Sequence, residues 1–88
     1  MKYYIVKITE TATENNKRFA GDTATWWYGK GCEMVGADDP YLKRPVDSLS
    51  VRLHGYKTMA RALRSWAYQN AESNEMWTVT REVVEAEA

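Results

Sequence analysis

Cys32, His54 and three nearby aspartates, Asp38, Asp39 and Asp47, are the residue types that make a thiolate nucleophile, a general base and an orienting carboxylate. Nothing local supports that use. No helix N-terminus is signalled at Cys32 to lower its pKa. A lone cysteine and a lone histidine in a short chain fit packing roles better. Gly29-Lys30-Gly31 is too short for a phosphate loop, and no helix follows it. Asp38-Asp39-Pro40 could touch a hard cation, but two adjacent carboxylates without spaced partners make a poor cage. One cysteine excludes an intrachain disulfide and a thiolate zinc cluster, and one histidine excludes a multi-His site. The expectation is a protein with no catalytic residues, no metal and no cofactor, and therefore not an enzyme.

Binding chemistry is better represented. Lys57, Arg61, Arg64 and Tyr68 fall on the polar side of a helical stretch, and Arg and Tyr are enriched where binding energy concentrates. A sheet face should carry Tyr3, Ile5 and one ring of the Trp26–Trp27 pair. Trp27 is counted among the candidate contacts, with the choice between the two rings open. Aromatics on an open sheet can stack bases or bury against a protein. The loop Asp38 to Pro45 adds Tyr41, Lys43 and Arg44. Net charge is zero, from 12 cations and 12 anions, but the signs are segregated. Residues 41–64 hold six cations against Asp47, and residues 72–88 hold five glutamates against Arg81. A basic middle and an acidic end suit a protein surface of mixed sign more than a phosphate backbone.

Elements must position these groups. Tyr56 to Glu72 reads as one amphipathic helix, with Met59, Leu63, Trp66 and Asn70 on a core face beside Ala60, Ala62 and Ala67. Thr58 is its expected N-cap, without a capping box. Lys2 to Thr11 alternates, with Tyr4, Val6 and Ile8 on one face and Tyr3, Ile5, Lys7 and Thr9 on the other. Thr23 to Gly29 reads as a second strand, Cys32 to Val35 and Ser48 to Leu53 as short strands, and Glu75 to Val84 as the last. A polar loop anchored by Phe19 joins the first two, and Ser73-Asn74 should stop the helix. Residues 85–88, EAEA, read as a frayed acidic tail.

The predicted fold class is α+β: a three- to five-stranded, mostly antiparallel sheet with one amphipathic helix on one face, in the order β-β-(β-β)-α-β. Its 88 residues make a single small domain, 1–88. No signal-peptide pattern and no run of about 20 apolar residues is seen, so a cytoplasmic location without a membrane is expected. The expected function is a non-enzymatic protein-binding module that occludes a partner surface. Size and economy suggest a stoichiometric inhibitor of the kind carried by phages and mobile elements, anti-CRISPR proteins included. A nucleic-acid-binding module using the basic helix face and sheet aromatics is the alternative. The open sheet face offers a route to a homodimer.

Overall fold

A computed structural model describes residues 1–31, 34–36 and 54–87. Four strands form one antiparallel sheet in the order β3-β2-β1-β4: β1 Lys2–Ala12, β2 Thr23–Tyr28, β3 Met34–Gly36 and β4 Trp77–Glu87. Among the described residues two short helices, α1 Met59–Leu63 and α2 Trp66–Gln69, precede β4. The expected strand at Ser48 to Leu53 lies outside the described residues, as do Cys32 and Glu33 of the third strand.

The alternation of β1 sets the two faces, because successive side chains point to opposite sides. Val6 and Ile8 are buried with Ala62 and Ala67 against the helices, beside half-buried Tyr4, Tyr28 and Val83. Ile5 is buried on the other face with Trp27, Val35 and Ala86, and Val84 packs against them. The sheet therefore has a buried patch on each side, and the far face is not open at its centre. Trp26 pairs with Ile8 and Gly36, and a Cβ on Gly36 would lie 3.3 Å from the Trp26 ring. Trp27 pairs with Lys7 and lies on the far face.

Local chemistry ends the strands. Gly21, at φ 85°, takes the left-handed conformation that a Cβ disfavours, and its N–H donates to the Ala12 carbonyl at 3.2 Å. Loop 13–22 docks on the turn before β4: Thr13 N–H donates to the Met76 carbonyl at 3.0 Å, and Phe19 stacks on Trp77 at 6.4 Å. Phe19 anchors the loop as expected, from a partly exposed position. Where β2 ends, Tyr56 takes its place, exchanging two backbone bonds of 2.8 Å with Tyr4. That bridge delivers the chain to the helices on the Val6–Ile8 face.

Two readings need correction. The stretch from Tyr56 to Glu72 is not one helix: it breaks at Arg64–Ser65, where Ser65 has extended backbone at ψ 153°. Ser65 caps α2 by accepting the Tyr68 N–H on its hydroxyl at 3.2 Å. Thr58 caps α1 as expected, accepting from Arg61 N–H at 3.2 Å. In an unbroken helix Ala62 and Ala67 would lie about 140° apart; the break lets both face the sheet. Met59, Leu63 and Trp66, expected in the core, are exposed by 46%, 37% and 66%. The second correction is at the C-terminal end. Glu85, Ala86 and Glu87 are not a frayed tail but the end of β4, paired with Tyr4, Tyr3 and Lys2. The Lys2 ammonium sits 3.1 Å from the Glu85 carboxylate, and that hydrogen bond raises its pKa.

Candidate partner-binding surface

The break at Ser65 builds this surface. Small side chains at Ala62 and Ala67 let two short helices approach the sheet closely. The larger apolar residues are then left on the outside. Met59 and Leu63 are four apart on α1 and share its outer side. Trp66 opens α2, and among the described large hydrophobic residues it is the most exposed after Met1. Asn70 Nδ2 donates to the Trp66 carbonyl at 2.9 Å, and Gln69 Nε2 to the Leu63 carbonyl at 2.7 Å. These bonds hold the backbone beneath the two apolar side chains.

Lys57, Arg61 and Arg64 are exposed on the same segment, and among the described residues none has an ion-pair partner. Trp66 also lines a surface pocket of about 140 Å³, together with Ile8, Tyr28, Val79, Glu10 and Glu72. Cations therefore precede the Trp66 ring in the chain, and two carboxylates lie at the pocket the ring borders.

The other candidate residues are placed differently. Tyr68 is half-buried; its ring carries the Arg81 guanidinium at 4.3 Å, and its carbonyl accepts from Arg81 Nη1 at 2.7 Å. That is a structural contact between α2 and β4. Trp27 is 6% exposed, with Lys7 Nζ 5.4 Å from the ring centre and no partner for its indole N–H. It presents no ring to solvent. Tyr3 is half-buried, its hydroxyl 3.7 Å from Met1 Sδ. Tyr41, Lys43 and Arg44 lie outside the described residues, as do Cys32, Asp38, Asp39 and Asp47. His54 is exposed, and its carbonyl accepts from Lys30 N–H at 2.8 Å.

The structure thus leaves Lys57, Arg61 and Arg64 exposed on the same segment as Met59, Leu63 and Trp66, three residues that periodicity assigns to the core. Ser65 was the available signal, since serine favours an N-cap over a helix interior. Glu10 and Glu72 are far apart in the chain, and only the fold places them at one pocket. Among the described residues no group of three His, Cys, Asp or Glu could hold a metal ion, and no helix is long and apolar enough to cross a membrane. No family model matches the chain, and no curated protein or solved structure is similar to it.

Proposed function

We propose that this protein is a non-enzymatic binding module that docks on a protein partner through the outer side of α1 and α2 and occludes the surface it covers. The observation that carries the reading is the exposure of Met59, Leu63 and Trp66 on a segment with Lys57, Arg61 and Arg64, which have no ion-pair partner among the described residues. A tryptophan offers roughly 150–250 Å² to burial. Covering the exposed two-thirds of Trp66 would contribute on the order of 3 kcal/mol. Trp and Arg are the residue types that dominate hot spots. Charges of both signs around the ring would orient the partner and speed encounter. Zero net charge and the glutamates beside Trp66 disfavour a polyanion. Action as a stoichiometric inhibitor of phage or mobile-element type belongs to this proposal and rests on small size and economy.

The test is capture from a native lysate with the wild-type chain and with Trp66→Ala as baits, both shown to be folded by circular dichroism. The expected result is protein capture that falls at least tenfold with Trp66→Ala, with no nucleic acid in the eluate. Equal capture by both baits would overturn the placement of the site. Recovery of nucleic acid that is lost on reversing Arg61 and Arg64 would favour the alternative.

A further inference from the structure

β4 forms an edge of the sheet, and the direction of its backbone groups follows from the pairing of β1. Tyr4 exchanges its backbone bonds with Tyr56, on the side of β1 away from β4. It is therefore the non-hydrogen-bonded partner of Glu85, whose N–H and C=O point away from β1. Alternation extends this to every odd-numbered residue of β4. Two of these residues are already met. Trp77 donates to Asn74 Oδ1 at 2.9 Å and accepts from Asn74 N–H at 2.9 Å. Val79 donates to Ser73 Oγ at 2.7 Å and accepts from the same hydroxyl at 3.2 Å. Among the described residues nothing meets the outward backbone groups of Arg81, Val83, Glu85 and Glu87.

An unpaired edge is a template for another strand. We propose that Arg81–Glu87 pairs antiparallel with the same segment of a second copy, about a two-fold axis at Val84. The axis follows from charge and from the cap. An isologous pairing sets each residue opposite one on the same sheet face, so each register is centred on one residue. Centring on Arg81, Glu82 or Glu85 opposes a charge to itself. Centring on Ala86 opposes Glu85 to Glu87 twice. Centring on Val83 also sets Arg81 opposite Glu85, but Ser73 holds the Val79 groups that Glu87 would need, which leaves about six backbone bonds. Centring on Val84 sets Arg81, whose guanidinium also holds Tyr68 through Nη1, opposite Glu87 of the second copy, twice by symmetry, and Val83 opposite Glu85. Opposite charges directly across a pair stabilise it, and like charges do the reverse. About eight backbone hydrogen bonds then form. Val84 already packs against the cluster of Ile5, Trp27, Val35 and Ala86 as a whole, so contact between the two Val84 side chains carries that cluster across the axis.

The test is sedimentation equilibrium of the full chain from about 10 µM to about 1 mM, a range suited to a weak association. A monomer–dimer equilibrium is expected, shifted at least tenfold toward monomer by Glu85→Pro. Proline there removes an outward N–H and no bond to β1. In a Cys32→Ser background, Val84→Cys should oxidise to a linked dimer. Its Cα atoms would lie about 4.5 Å apart, within disulfide reach. Glu82→Cys should not crosslink, because it faces Ala86. A wild-type chain that stays monomeric throughout would overturn the proposal. So would a dimer indifferent to Glu85→Pro, or crosslinking of Glu82→Cys as efficient as that of Val84→Cys.

Discussion

Ala62 and Ala67 set the distance between helices and sheet. Ala62 has no exposed surface, and Ala67 is 6% exposed. Adding three carbons at either would force overpacking, so Ala62→Leu should destabilise by about 1–3 kcal/mol in urea unfolding. Leu63→Ala should cost less than the roughly 2–5 kcal/mol of a buried leucine, because its side chain is already partly in water. Finding Leu63→Ala more damaging than Ala62→Leu would return the helix face to the phase that periodicity suggests. Ser65 is the residue on which that phase turns. Ser65→Ala removes the acceptor for Tyr68 N–H and should cost about 0.5–2 kcal/mol. A neutral Ser65→Ala would mean that the break is held by packing alone.

At the scale of elements, β1 carries the sheet because it is paired along both edges. It makes 11 residue pairs with β4 and six with β2, with Tyr56 beyond. Ile5 is fully buried, and Ile5→Ala should cost about 2–5 kcal/mol, read as a lower denaturation midpoint at unchanged slope. Ser73 and Asn74, expected only to stop a helix, cap the edge of β4 instead. Ser73→Ala leaves the Val79 N–H and C=O unmet and lengthens the open edge. It should cost about 1 kcal/mol and increase concentration-dependent association. Unchanged association would argue that the cap has no protective role.

The strands were legible because their evidence is local: alternation in Lys2–Thr11 and Thr23–Tyr28 depends on neighbours in the chain. The helix phase was not, because an i, i+4, i+7 pattern assumes an unbroken helix, and one serine shifts everything after it. The end of β4 was hidden for another reason. Glu85 and Glu87 read as solvated acid until Lys2 and Tyr3, more than eighty residues away, supply a paired strand and a cation. The partner-binding surface was half visible. Its cations read as exposed from the sequence, while periodicity assigns its apolar side to the core.

At the scale of the whole molecule, the helical side of the sheet joins an inner layer of alanines and β-branched residues to an outer layer of Met, Leu, Trp and Arg. A chain of zero net charge, with Glu10 and Glu72 at the pocket that Trp66 lines, should not retain random DNA or RNA at physiological salt, and a steep fall of log affinity with log salt would contradict that. Trp66 lies outside the core, and the proposed docking depends on that exposure. The measurement that addresses it most directly is the unfolding free energy of Trp66→Ala against wild type in urea. An exposed ring predicts a difference within about 1 kcal/mol, at the surface end of substitution effects. A loss of about 3–5 kcal/mol, the cost of removing a buried tryptophan, would contradict the account.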